Sequence, residues 1–413
     1  MPRERKKLLL VAIPNSIHTA RWISQLKDQA WDIYLFPSLG GEVVHSHITD
    51  VTVQHLFYRQ YIRKKQPGSF KQENPSFIAR HIDSLRKRAI DHFFPNQRCK
   101  QLMRLIRKVK PDVIHSMEIQ AAGYLTLEAK KQLKDKFPPW IVTNWGSDIY
   151  LFGRLKEHRD KIRNVLAGCE YYSCECQRDT DLARQFGFEK TILPVFPNTG
   201  GFDLEALESL RNKVVTSRRK TIMLKGYQGW AGRALVGLSA LARCADVLAE
   251  YVIKIYSADD DVIMAAELLT ESTGISTEII PAQIAHAEML SLFSQARISI
   301  GLSISDAIST SLLEAMVMGA FPIQSCTACA DEWVQHGISG MVVPPEDPEI
   351  IEEAIRKALS DDGLVNNSAE INWQTSQARL DAMVLKQKAI DMYRNVLNSA
   401  DTKNEGIYKA PNK

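Results

Sequence analysis

Thirteen runs rich in Val, Ile and Leu, each five to seven residues long, recur along the chain and alternate with segments of helical periodicity. Strands of a parallel sheet covered on both faces read as nearly continuous apolar runs, and joining them requires a crossover, usually a helix. The pattern therefore predicts repeated βαβ units. Seven predicted strands fall in the first half, at residues 8–13, 31–36, 51–57, 112–117, 140–145, 170–175 and 191–196. Six more lie at residues 221–227, 251–257, 276–281, 298–303, 321–325 and 340–344. Between the sets, PNTGGFDLEALESLRNKVVTSRRK (residues 197–220) opens with turn formers and ends in charges, which places a domain junction there. A chain of 413 residues also exceeds what a single core usually supports. The expectation is α/β: two Rossmann-like doubly wound domains, residues 1–200 and 201–372, with ligands at the carboxyl ends of the strands in the crevice between them. A helix over residues 373–399 is expected to cross back to the first domain, and the polar residues 400–413 to form a frayed tail.

Composition excludes several classes. With 45% hydrophobic and 24% charged residues the chain reads as globular, and no apolar run approaches the roughly 20 residues of a spanning helix. KKLLLVAIP near the start is followed by Asn15, His18 and Arg21 without a small-residue cleavage pattern, so it reads as a first strand, not as an export signal. Seven cysteines, an odd number, argue for a reducing compartment and a cytoplasmic location. Cys326 and Cys329 with Cys174 and Cys176 could offer four thiolates, but the spacing matches no zinc finger, and no metal is expected.

The net charge of +4 is unevenly spread. Between Arg59 and Lys110 fifteen Lys or Arg stand against Glu73, Asp83 and Asp91, a local +12 that leaves −8 for the rest. Phe57, Tyr58, Tyr61, Phe70, Phe77, Phe93 and Phe94 lie among or beside them. Such a segment suits an anionic membrane surface. A solvated basic helix face and a nucleic acid backbone are the alternatives, and nucleic acid is not expected as a partner.

The chemistry concentrates in ISDAISTSLLEAMVMGAFPIQS, residues 304–325. Its helix carries one acid, Glu314, among apolar residues, and burying an unpaired acid costs several kcal/mol, so something should face it. Asp306 lies in the loop ahead, and Ser309, Thr310 and Ser311 form the helix start, whose free amides and positive dipole end suit a phosphate. Acids displaced along a helix can grip two distant parts of an elongated ligand. Hydrolysis of a glycosidic bond would instead need two carboxyls about 5 to 9.5 Å apart across it. A phosphate site between the acids points to a nucleotide with a sugar beyond its phosphates.

This stretch, with ADEWVQHGISGMVVPPEDPEIIEEAI after it, resembles the donor-binding half of the retaining GT-B glycosyltransferases of family 4. Their signature is Glu-x(7)-Glu followed by Ala-Met, a Gly and a short strand near a Pro. Asp306 matches the first acid, one methylene shorter, and Glu314 the second. The resemblance implies that Glu314 binds the ribose, Asp306 the transferred sugar, and the amides near Ser309, Thr310 and Ser311 the diphosphate. IMLKGYQGWAGRALVGLSAL (residues 222–241) stands where the family has a strand ending in Gly-Arg with a Lys beyond. Tyr227 takes the Arg position, leaving Lys225, Gly226 and Arg233 for the phosphates, with Arg233 preferred because guanidinium binds phosphate bidentately.

In the first domain, IPNSIHTARWISQL, KPDVIHSMEIQAAG and IVTNWGSDIY resemble further family segments. They imply an acceptor side of Asn15, His18, His115, Trp145 and Asp148, with Trp145 where a His is common, and Asp306, His18 and Asp148 as catalytic candidates. SADDDV (residues 257–262) imitates an Asp-x-Asp metal site but ends a strand where the family needs no metal. The implied reaction transfers a sugar from a nucleoside-diphosphate donor to a glycan or lipid-linked acceptor with retention, in cell-surface polysaccharide or glycolipid synthesis, in the cytoplasm or peripherally at the inner face of the membrane. No cofactor is expected beyond that co-substrate. A nucleotide-sugar epimerase of the same fold and a non-catalytic two-domain binding protein are the alternatives.

Overall fold

A computed structural model describes residues 5–39, 43–54, 60–63, 96–133 and 137–407. The chain divides into two compact units, the first comprising Met1–Gly200 and Lys386–Lys413, the second Gly201–Leu385.

The first unit holds β1 (Lys6–Ala12), β2 (Trp31–Pro37), β3 (Val51–Gln54), β4 (Gln60–Arg63), β5 (Val113–Met117), β6 (Trp140–Thr143), β7 (Tyr171–Ser173) and β8 (Thr191–Ile192). They form one sheet in the order β4-β3-β2-β1-β5-β6-β7-β8. Every pairing is parallel except β3 with β4. Chain order reverses between β1 and β5, so the loops after these two strands open at a topological switch point. Leu8 to Ala12 are fully buried, as a central strand covered on both faces requires. Ser16 caps the helix Ile17–Gln25, its side chain accepting from His18 N at 3.1 Å.

The second unit holds β9 (Thr221–Lys225), β10 (Val252–Tyr256), β11 (Ser276–Ile279), β12 (Ala296–Gly301), β13 (Phe321–Ser325) and β14 (Met341–Val343), in the all-parallel order β11-β10-β9-β12-β13-β14. Its switch point lies between β9 and β12. Residues of β9 alternate between two cores. Ile222 and Leu224 pack with residues of the helices Ala234–Arg243, Asp260–Thr273 and Pro348–Ser360. Met223 packs with the helices His286–Gln295 and Thr310–Met318 on the other face. Each unit is thus a Rossmann-like layer of parallel strands with helices interleaved, as the apolar runs predict.

Three expectations change. The strand β4 lacks the continuous apolar character of a doubly covered strand and was not predicted; it pairs antiparallel at the sheet edge. The helical stretch expected from residue 373 is two helices, Asp362–Arg379 and Ala382–Ile407, because the chain breaks at Leu380 and Asp381 to pair with Phe202. Phe202 N donates to Leu380 O at 2.8 Å and Ala382 N to Phe202 O at 3.0 Å. The second of these helices continues to Ile407, into the expected tail.

Most of the basic segment, residues 64–95, lies outside the described residues, and with it the expected membrane contact. Its described parts are β4 and the helix Gln97–Val109, which buries Cys99, Leu102, Leu105, Ile106 and Val109 and carries Arg107 and Lys108 in its last turn, where the dipole favours cations. Among the described residues no helix is long and apolar enough to cross a membrane.

Candidate functional site

At the second unit's switch point, the loops after β9 and β12 are joined by backbone bonds. Arg233 N donates to Leu302 O at 3.0 Å, Ile304 N to Ala231 O at 2.8 Å, and Gly232 bridges to Ser303. A Cβ on Gly232 would lie 1.9 Å from Tyr227 O, so only glycine permits this closure. The joint sets the segment leading to Asp306 beside the loop 226–233. Burial, and then the charges of Asp259 and Asp306, push the Tyr227 phenol up, so the residue in the expected Arg position stands near both acids.

Beyond Asp306 the helix Thr310–Met318 starts at Ser309, whose hydroxyl lies 2.8 Å from that of Ser311. Asp306 Oδ1 accepts from Ala307 N at 2.9 Å. Residues Ser311 to Met318 are all buried, and Gly319 ends the helix at φ 78°. Glu314 is only 7% exposed. It meets a protein group that the sequence reading overlooked: His286 Nε2, at the start of the helix His286–Gln295, donates to its Oε1 at 2.8 Å. The group that a buried acid at this position requires opposite it is thus a histidine. The imidazole side chain is 47% exposed, so it can turn into water and leave the carboxylate to a hydroxyl donor.

The cations differ from expectation as well. Arg233 is engaged, its Nε donating to Glu346 Oε1 at 2.9 Å and its Nη1 to Gly232 O at 2.7 Å. An ion pair whose acid is 65% exposed contributes at most about 1 kcal/mol and is easily exchanged for a phosphate. Lys225, at the end of β9, is half-buried. Gly226 N donates to Tyr256 O at 2.7 Å, fixing the start of the loop. Asp259, part of the metal-like SADDDV, holds the loop's middle: its Oδ2 accepts from Gln228 N at 2.8 Å and Gly229 N at 2.9 Å. Gln228 Oε1 in turn accepts from Leu235 N at 3.1 Å. Three adjacent aspartates read as a metal motif in sequence, yet one is a backbone tether, and Asp260 and Asp261 lie in a helix first turn, where acids are favoured.

In the first unit, the loops after β1 and β6 bring Asn15, His18, Trp145 and Asp148 into two connected groups. Asn15 and His18 are exposed, and the His18 ring lies 5.5 Å from that of Trp145. Among the described residues the indole Nε1 of the half-buried Trp145 meets no hydrogen-bond partner. Asp148 is buried, its Oδ2 accepting from Trp145 N at 3.0 Å and Ile119 N at 3.1 Å. It fastens the Trp145 turn to the segment after β5, which makes it a positioning residue.

Next to it stands Glu118, absent from the sequence-based candidates. Its backbone has φ 96°, strained for a residue with a side chain, and its carboxylate accepts from Ala121 N at 2.7 Å and from Ala122 N. Burial, then the Asp148 charge, raises the Glu118 pKa, and burial raises that of Asp148. His115 must be withdrawn from the acceptor side. It is fully buried, with Nδ1 2.6 Å from Tyr393 Oη and Nε2 2.5 Å from Thr143 Oγ1, and burial lowers its pKa to about 3. Neither Cys174 nor Cys326 forms a disulfide among the described residues; the first is buried and its thiol donates to Cys176 O at 3.3 Å, and the second is exposed.

The family model described as Glycosyl transferase 4-like matches residues 7–171, and that described as Glycosyl transferases group 1 matches residues 265–373. Together they span about two thirds of the chain. No curated protein sequence matches it. Among solved structures, sucrose-phosphate synthase from Thermosynechococcus elongatus aligns with TM-score 0.64 at 14% identity, over 96% of this chain and 100% of that one. Anabaena HepE in complex with UDP and glucose aligns with TM-score 0.64 at 14% identity, over 95% and 100%. The UDP-forming α,α-trehalose-phosphate synthase from Burkholderia xenovorans aligns with TM-score 0.65 at 13% identity, over 95% and 99%. At such identities the likeness concerns the fold, while the family models match the sequence itself. The protein has the two-domain α/β GT-B fold and belongs to the glycosyltransferases of the family 4, group 1 type.

Proposed function

We propose that this glycosyltransferase takes its sugar from a nucleoside-diphosphate donor and passes it, with retention of anomeric configuration, to a glycan or lipid-linked acceptor in cell-surface polysaccharide or glycolipid synthesis. The observation that carries the reading is Glu314, a buried carboxylate within the helix Thr310–Met318, met by a half-exposed imidazole that a ribose hydroxyl can replace. The UDP and glucose bound to Anabaena HepE and the UDP-forming activity of the Burkholderia synthase agree with such a donor.

In this reading Glu314 binds the ribose, the amides following Ser309, at Thr310 and Ser311, hold the diphosphate, and Asp306 binds hydroxyls of the transferred sugar. Breaking the glycosyl–phosphate bond builds negative charge on the departing diphosphate. Lys225, Arg233 and the helix start stabilise that charge without a metal ion. Asn15, His18 and Trp145 meet the acceptor, and Asp148 holds Trp145 in place. The protein works in the cytoplasm.

The test is incubation with UDP-glucose, UDP-galactose, GDP-mannose and related donors, reading nucleotide release and, by NMR, the anomeric configuration of the product. Release of nucleotide with a new retained linkage is expected. Isomerisation of the sugar nucleotide without transfer would identify an epimerase instead. Glu314→Ala should lose donor affinity by at least tenfold; a variant that binds and turns over the donor like the parent removes the ribose assignment.

A further inference from the structure

Six of the seven tryptophans are buried or half-buried, whereas Trp230 is 55% exposed. Its surroundings distinguish it from an ordinary surface aromatic. It sits on the loop between β9 and the helix Ala234–Arg243, at the β9/β12 switch point. The loop is pinned on both sides of it, by Asp259 Oδ2 at Gln228 N and Gly229 N, and by Ala231 O and Arg233 N against Ile304 and Leu302. A rigid loop that holds half an indole in water forgoes the gain of burying it. Flanking groups say what the indole would meet. Three residues on is Arg233, and Ala231 next door pairs with Ile304, two residues before Asp306.

We propose that Trp230 is a specificity-determining residue whose indole face stacks on a pyranose ring at the sugar end of the donor site. The proposal rests on the nucleotide-sugar reading above. A pyranose has one face of C–H bonds, apolar and weakly positive, which suits the negative face of an aromatic ring. Its hydroxyls at the rim are what a carboxylate such as Asp306 takes. Phosphate has no affinity for an indole face. The nucleobase belongs beyond the ribose, on the side of Glu314, which lies inside the helix more than one turn from its start. Trp230 is tied instead to the Asp306 side. The pyranose can be that of the donor or the sugar unit of the acceptor, and both present the same face.

The test uses the full-length parent, Trp230→Ala and Trp230→Phe. Calorimetry compares the pairs UDP with UDP-glucose and GDP with GDP-mannose, and then methyl α-D-glucopyranoside added to the protein saturated with UDP. Thermal melting establishes that the variants are folded. The expected result is a loss of about tenfold in affinity for the sugar-bearing ligand in Trp230→Ala, with bare nucleotide within twofold of the parent and most of the loss recovered in Trp230→Phe. A blue shift of tryptophan emission on binding the sugar nucleotide, present in the parent and missing in Trp230→Phe, should accompany it. A loss confined to UDP-glucose or GDP-mannose identifies the donor sugar, and one confined to the methyl glucoside identifies the acceptor; either supports the stacking. Equal affinities in parent and Trp230→Ala in both arms overturn it while leaving the donor reading intact. So does an equal loss for bare nucleotide, which would move the indole to the base. If the parent binds none of the nucleotides, the donor reading fails and takes the Trp230 assignment with it.

Discussion

Replacing Asp259 by Ala separates a loop tether from a metal ligand. The carboxylate holds two amides of the loop after β9, Gln228 N at 2.8 Å in a half-buried setting and Gly229 N at 2.9 Å in an exposed one. Hydrogen bonds to a charged group contribute about 1.5–3 kcal/mol. With the low end for the first, and about 0.5 kcal/mol for the second because solvent screens it, about 2 kcal/mol of loop order depends on Asp259. The far end of the loop stays fixed by Ala231 and Arg233, so the fold should survive, with a fall in melting temperature of at most about 4–8 °C. If the lost order has to be restored on binding, about 2 kcal/mol corresponds to roughly thirtyfold in affinity for the nucleoside diphosphate of the proposed donor, with UDP as the first probe. Titration calorimetry with UDP, with and without Mn²⁺, reads this directly. Asp259→Asn keeps an acceptor oxygen without the charge and should lie between. UDP binding by Asp259→Ala within twofold of the parent would refute the tether. A Mn²⁺-dependent affinity in the parent that disappears in the variant would restore the metal reading of SADDDV.

Two further predictions concern the core of the first unit. Tyr393 Oη accepts from Trp22 Nε1 at 2.9 Å and lies 2.6 Å from His115 Nδ1. Tyr393→Phe strands both nitrogens in a dry core at about 1–3 kcal/mol each, so urea unfolding should show a loss of about 3 kcal/mol, and an unchanged midpoint would show the contacts to be idle. His115, with its pKa lowered to about 3 by burial, is neutral when folded but takes a proton when unfolded below its ordinary value of about 6.5. Its contribution is complete above about pH 6.5 and is lost as pH falls toward 3, at up to about 1.4 kcal/mol per pH unit. Glu118 and Asp148, both raised, act oppositely, contributing most at low pH and losing it as pH rises. The stability advantage of the parent over His115→Gln should therefore shrink from pH 7 through 6 to 5, whatever slope the two acids give both proteins, and a constant difference would dismiss the histidine.

Much of the fold was legible because doubly covered parallel strands must be apolar throughout, and Leu8 to Ala12 or Phe321 to Ile323 can hardly be read otherwise. The edge strand β4 was not, since an edge need satisfy only one neighbour. The break at Leu380 was equally hidden, because its partner Phe202 is far away in sequence. In the site, Asp306, Glu314 and the Ser309 helix start stood out through residue type at fixed spacing along one element. His286 and Asp259 act across elements, the one on a helix packed beside Glu314, the other across the sheet on the loop after β9, and no local period marks them. Glu118 gave a weak signal, an acid directly after a buried strand. His115 was misjudged although its signal was present: it lies inside the apolar run VIHSM, where a side chain faces core, and its partners Tyr393, 278 residues away, and Thr143 explain why it is tolerated.

The contact between Glu314 and His286 is asymmetric in a way that bears on function. Withdrawing the carboxylate from its partner would leave a charge that is only 7% exposed, with little water to replace the bond. Turning the imidazole away returns a side chain already 47% exposed to solvent, where its nitrogens are satisfied at once. The histidine is therefore the movable partner, and the acid is fixed by the helix Thr310–Met318, whose residues from Ser311 onward are all buried. A ligand that offers Glu314 a hydroxyl in place of the ring N–H exchanges one hydrogen bond for another and leaves no charge bare at either stage. A buried acid of this kind can stand in the empty protein without the full penalty of an unpaired charge and still be open to a diol. That resolves the apparent contradiction between a carboxylate placed in an apolar helix and a carboxylate available for binding.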